Sequence, residues 1–323
     1  MVICYRKLVI MFCGIPISLF SQLVDNTSSF RSMESVGYFR LHYENDFFTA
    51  SDFYYSQGIN LEFSSPELKY NPLNGLLPKL KNNSSTNGLA LEHAVFTPSS
   101  IRQKEIIQND RPFAAYLILK TFLISVDTLH HQRLSSTLSI GGLGPVAFGS
   151  EMQKSIHKWL KNIEPLGWEH QIENDVVLNY EVSYERQLYQ YRNNFLLSSL
   201  GKIQVGTLMD HAQVGCTFLF GKFNSPYASS ARVPKNSFKF YGYAQPLVGL
   251  VGYNATLQGG LFNRKSPYTL TSHQLTRTVF QANLGIVLRY HKVYLEYSQS
   301  MLTKEFDTGK FHRWGGIKAG ITF

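Results

Sequence analysis

At least ten segments of this chain alternate apolar and polar residues at period two, and that repetition limits the folds open to it. Successive side chains of a strand point to opposite faces, so each such segment presents one oily face and one wet face. In the closing stretch Gly315, Ile317, Ala319, Ile321 and the terminal Phe323 share one face, while Gly316, Lys318, Gly320 and Thr322 share the other. Val176, Leu178, Tyr180, Val182 and Tyr184 oppose Val177, Asn179, Glu181, Ser183 and Glu185 in the same way. Repeated with turns between, this pattern predicts an all-β fold: a transmembrane antiparallel β-barrel of about 12 strands. Strands are expected near 36–46, 54–64, 87–97, 112–126, 132–144, 175–188, 194–206, 211–221, 237–251, 278–290, 292–300 and 314–323. A soluble β-sandwich carries similar patterning; a leader segment, the terminal aromatic and the strand lengths argue against it.

The N-terminus reads as an export signal. Arg6 and Lys7 precede an apolar run over 8–20 that is shorter than the roughly 20 residues a membrane-spanning helix needs. Residues 1–21 are expected to be this signal peptide, 22–35 a periplasmic N-terminal segment whose polar stretch 24–35 is mobile, and 36–323 the outer-membrane barrel. Cleavage would remove Cys4 and Cys13, leaving Cys216 with no partner for an internal disulfide. It would also lower the formal charge of +9 by two. A basic exported chain meets anionic lipid headgroups rather than nucleic acid. The 19 Tyr and 23 Phe fit aromatic girdles at two membrane interfaces.

With both termini periplasmic, the loops after odd-numbered strands open outward. The loop after strand 5 carries a helical pattern over 150–161, a short amphipathic helix in an extracellular loop. Met152, Ile156, Trp159 and Leu160 are spaced for one apolar face, and Gln153 and His157, four apart, lie side by side. At the outer ends of strands 1 and 2 a short connection brings Asn45, Asp46, Ser56 and Gly58 to one patch, on the side where His157 also opens. Oxygen ligands of this kind suit a hard cation such as Ca²⁺. A nearby histidine suits general-base activation of water. Asn-Asp at a strand end is equally a turn signal, and a single histidine on an amphipathic helix is equally a surface residue.

These residues resemble the outer-membrane lipid A 3′-O-deacylases. The resemblance runs through nearly the whole mature chain in order: Glu44-Asn45-Asp46, Tyr55-Ser56-Gln57-Gly58, Asp110-Arg111-Pro112-Phe113-Ala114, Gly144-Pro145, Gln153 with His157, Gly167-Trp168, Gln171-Ile172-Glu173-Asn174 and Thr256-Leu257-Gln258-Gly259. Ser56 stands where that family usually has threonine, which keeps the hydroxyl. The resemblance implies a twelve-stranded barrel and a calcium-dependent esterase that releases the 3′-acyloxyacyl chain of lipid A. It implies His157 as general base and Asp46 as calcium ligand. Asn45 and Ser56 would complete the metal and oxyanion environment, with Gln153 supporting the site from the helix. Lipopolysaccharide and outer-membrane lipids are the implied partners of a monomer. Arg102 and Lys104 are the nearest basic residues for lipid A phosphates. Two other readings stay open: a non-catalytic pore or structural barrel, and an outer-membrane phospholipase with a Ser-His-Asn arrangement.

Overall fold

The computed structural model describes residues 26–49, 53–81, 84–228 and 238–323; the expected signal peptide lies outside the described residues. Twelve strands close into one antiparallel barrel: β1 Tyr38–Asn45, β2 Tyr54–Ser64, β3 Ser84–Thr97, β4 Ala114–Asp127, β5 Gln132–Leu143, β6 Asp175–Tyr191, β7 Phe195–Gly206, β8 Met209–Lys222, β9 Lys239–Asn254, β10 Thr278–Tyr290, β11 Val293–Leu302 and β12 His312–Thr322. Each expected strand is present, its ends moved by a few residues. β1 closes the barrel on β12, with Tyr38 opposite Thr322 and Asn45 opposite Gly315. Closure removes both sheet edges, so the wall satisfies its own backbone in lipid.

The alternation sorts side chains across the wall. Phe39, Leu41, Leu61, Phe63, Ile317 and Ile321 point outward and are exposed, while Arg40, His42, Glu44, Glu62 and Lys318 point into the lumen and are buried. A buried unpaired charge is expensive, so a narrow polar lumen must pair its ions. Arg40 meets Glu62 at 2.6 Å, Arg31 meets Glu296 at 3.0 Å, and Lys120 meets Glu92 at 2.6 Å.

The expectation of a mobile stretch over 24–35 is corrected from residue 26 onward: residues 26–35 thread the lumen. Ser29 donates its backbone N–H to Glu185 Oε1 at 2.9 Å. The Phe30 ring stacks on Tyr243 with centroids 4.0 Å apart. Arg40 donates to the carbonyls of Asn26 and Arg31, and Arg133 to that of Thr27, each at 2.7 Å. The segment reads as mobile because it is polar and lacks alternation. Its polarity matches the lumen, whose partners lie far away in sequence.

Loops close the other end. Arg111, from the β3–β4 loop, is fully buried, ion-paired with Glu305 of the β11–β12 loop, and donates to Thr256 Oγ1 at 2.5 Å. Its guanidinium lies 4.3 Å from the Phe96 ring centroid. Burial lowers the Arg111 pKa while Glu305 opposes; burial raises the Glu305 pKa while Arg111 opposes. Tyr268 donates to Asp110 O at 3.1 Å, Gln274 to Asn109 Oδ1 at 3.1 Å, and Thr308 to Asn109 O. The Asp110-Arg111 motif therefore ties three loops together. Between plug and knot, one lumen cavity of about 40 Å³ lies among Glu62, Glu92, Lys120 and Glu181. That volume suits a few waters. A pore would need a lumen open from end to end, and this one is filled.

Candidate active site on the outer rim

Beyond Asn45 the chain turns outward through a 3₁₀ turn, Asp46–Thr49, rather than across the barrel mouth. Phe48 covers Gly315 on the outer face of β12, where a Cβ would lie 2.5 Å from the Phe48 Cβ. Thr49 donates to Arg313 O at 2.7 Å. Asn45 Oδ1 accepts from Phe47 N at 2.8 Å, and its Nδ2 donates to the Tyr43 hydroxyl at 3.1 Å. These contacts hold Asp46 against the wall, 6% exposed.

Asn45 is the register partner of Gln57, and Ser56 is the extra residue of a β-bulge, since Tyr55 pairs with Phe96 and Gln57 with Val95. A bulge re-aims the side chain it carries. Here it leaves the Ser56 hydroxyl 2.8 Å from the Thr97 hydroxyl. By strand parity Gln57, His93, Val95 and Thr97 share the outward face with Leu61 and Leu91. Asn45, Asp46 and Ser56 are thus gathered at the outer ends of β1 and β2.

The β5–β6 loop covers the neighbouring wall. Gly144 has φ +97°, and a Cβ there would lie 2.7 Å from the Glu173 backbone; only glycine opens this loop. The 3₁₀ turn Pro145–Ala147 follows, and the Ala147 carbonyl lies 2.8 Å from His93 Nε2. Helix α1, Gly149–Leu160, then lies along the outside of the wall. Gly149 approaches Ala115 so closely that a Cβ would come within 2.4 Å of the Ala115 Cβ. Gln153 is buried and accepts from Trp168 Nε1 at 2.8 Å, and the Trp168 ring packs 4.8 Å from that of Phe113.

His157 is half-buried, with Nδ1 at 2.6 Å from the Ile163 carbonyl. A carbonyl only accepts, so Nδ1 carries the proton, and in the neutral ring Nε2 is the nitrogen that bears the lone pair. Ile163 is partly buried against the apolar cluster of Val95, Ile101, Phe113, Ala115, Ala147 and Trp168. The structure brings Asn45, Asp46 and Ser56 together on β1–β2. Gln153 and His157 stand on α1, whose first turn packs on Ala115 of β4 at the outer side of the wall.

The family described as Outer membrane protein LpxR matches residues 9–323. The chain belongs to this family. It is an outer-membrane protein, crossing the bilayer by its strands. The structure of LpxR from Salmonella typhimurium superposes with a TM-score of 0.73 at 21% identity, covering 88% of this chain and 100% of that one. At that identity the likeness speaks for the fold. The β domain of the Bordetella autotransporter BrkA aligns at a TM-score of 0.46 and 8% identity, over 89% of this chain and 99% of that one. A search of curated proteins gives no match.

The apolar side chains of this LpxR-family helix are not the ones most buried against the wall. Gly149 and Gln153 are buried, Met152 and Ile156 only partly, and Trp159 and Leu160 are 82% and 58% exposed. Close approach decides this: the glycine lets the helix reach Ala115, and Gln153 finds the indole N–H there.

Two polar residues escaped sequence reasoning, His93 and Thr97. Both stand at outward positions of β3, where lipid-facing apolar residues are the rule, and both are buried. A polar residue on the lipid parity of a barrel strand is the signal that could have found them. Gln57 is a third: its Nε2 is buried and without a hydrogen-bond partner, as is His93 Nδ1.

Among the described residues no three His, Cys, Asp or Glu side chains cluster as a metal site. A bound ion would have one carboxylate, Asp46, with the Asn45 amide and Ser56 hydroxyl oxygens. That donor set fits a hard, oxygen-seeking cation and not a thiophilic or imidazole-seeking one.

Proposed function

We propose that this LpxR-family barrel is an outer-leaflet esterase that removes the 3′-acyloxyacyl chain of lipid A, with His157 as general base. The supporting observation is the His157 tautomer. Its Nδ1–H is committed to the Ile163 carbonyl at 2.6 Å, which makes Nε2 the basic nitrogen of the neutral ring. In this reading Nε2 takes a proton from water as the oxygen attacks the ester carbonyl carbon. The tetrahedral intermediate then expels the sugar 3′-oxygen, which recovers the proton from the imidazolium. The products are a free carboxylic acid and a 3′-hydroxyl.

A serine nucleophile has less support, because Ser56 Oγ is partnered by the Thr97 hydroxyl rather than by a histidine that could activate it. That weighs against the phospholipase reading. Asp46, with Asn45 and Ser56, would hold Ca²⁺, which when bound supplies charge stabilisation for the oxyanion. Gln153 positions His157 by fixing the helix to Trp168. Leu166 N donates to Ile101 O at 2.9 Å, so the loop carrying Arg102 and Lys104 runs beside this site and offers cations for the lipid A phosphates. The chain is proposed to act as a monomer.

The test is lipid A mass spectrometry from bacteria expressing the chain. Loss of the 3′-acyloxyacyl mass is expected, with His157→Gln reducing the rate by about 10²–10⁴, the usual worth of a general base. Unaltered lipid A in the presence of correctly folded barrel would overturn the proposal.

A further inference from the structure

The apolar residues of the β5–β6 loop that do not touch the wall still form a pattern. Val146 sits over Gly142 on the outer face of β5, where a Cβ would lie 2.5 Å from Val146 Cγ1. Gly142 is the register partner of Val176, and Ile140, next below on the same face, pairs with Leu119 and Leu178. These neighbours belong to the lipid-facing band, all about half exposed. Val146 and Phe148, at 48% and 59% exposure, carry that band upward without a break onto the loop. Phe148 and Trp159, three turns apart, then fall along one edge of α1. Lys154 and Lys158, four apart, occupy the opposite edge, Lys161 follows just past the helix end, and all three are exposed.

We propose that the Val146–Phe148–Trp159 edge is an in-plane anchor, seated among the acyl chains of a phosphorylated, multiply acylated outer-leaflet lipid, with the three lysines at its phosphates. Three observations carry this. The edge is continuous with a surface that already meets lipid. Tryptophan and phenylalanine stand at the apolar border of a helix lying along the wall, the composition of interfacial helices. The charge on the far edge is complementary to phosphate. Phe148 is also held at φ +56° as the residue before α1, a left-handed conformation that a bulky side chain rarely adopts. The turn thereby spends backbone energy to present that ring. The anchor deepens the esterase reading by bringing the acyl region of the lipid beneath His157, although the docking itself can be measured without any turnover.

The test uses the full barrel reconstituted in phosphatidylglycerol vesicles brominated either near the headgroup or near the chain end. Subtracting the emission of Trp159→Phe isolates Trp159. Its emission is expected at shorter wavelength than in water and quenched most by the shallow bromines, for a depth of about 5–10 Å. Phe148→Ser is expected to reduce that quenching, and so is replacing all three lysines by glutamine. Quenching of Trp159 by aqueous acrylamide but not by either brominated lipid would overturn the anchor. Quenching in these vesicles together with unaltered lipid A in cells expressing the folded barrel would leave the anchor standing and remove the esterase.

Discussion

Phe30→Ala should release the N-terminal plug without dissolving the barrel. Phe30 is fully buried, stacked on Tyr243 at 4.0 Å and 25°, with the Arg31 guanidinium 4.8 Å from its ring centroid. Emptying a buried phenylalanine site costs about 3–5 kcal/mol, because the lumen wall is strand backbone that cannot collapse into the void. The strands keep their ladders, so the cost falls on docking of 26–35 rather than on global stability. At about 1.4 kcal/mol per tenfold, the released plug becomes roughly 10²–10⁴ times more populated. Hydrogen exchange at Ser29, whose N–H is held by Glu185 Oε1 at 2.9 Å, should quicken by that factor. Phe30→Leu should show a smaller change. If Ser29 exchange changes by less than about tenfold, the claim that Phe30 holds the plug is wrong.

Other consequences are accessible to the same kinds of measurement. Arg111→Met should cost about 3–5 kcal/mol, read by denaturant titration, because it strands Glu305 as a buried charge; adding Glu305→Met should recover most of the loss. The Glu305 pKa is raised by burial, so its contribution favours the folded loops at low pH and is lost as pH rises through the folded value. The Arg111→Met defect should therefore ease on acidification; a defect that deepens instead would contradict this sign. A calcium chelator should abolish lipid A cleavage, and Asp46→Asn should raise the calcium concentration needed to restore it. Full activity in chelator would dismiss the cation.

Much of the barrel was legible in the sequence because lipid on one side and a wet lumen on the other impose a period-two code that each strand obeys locally. Lys318 and Ile317 could be assigned to opposite faces without knowing a single contact. The outer patch was partly legible, since Asn45, Asp46 and Ser56 flank a short connection, and strand pairing then makes them neighbours. Motif resemblance drew attention to Gln153 and His157, and the helix itself was plain in its spacing.

What only the tertiary structure decided lies where the partner is distant in the chain. Residues 26–35 carry no periodic signal, and their order comes from Glu185, Tyr243 and Glu296, more than a hundred residues onward. Gln153 rather than Trp159 meets the wall because one glycine allows the helix to approach Ala115, a contact invisible to hydropathy. The basic nitrogen of His157 follows from a backbone carbonyl six residues away, which the loop folds back to supply. Periodicity reports which solvent each face meets; it is silent on which side chain fills a given space, because that depends on close packing between segments that the sequence keeps apart.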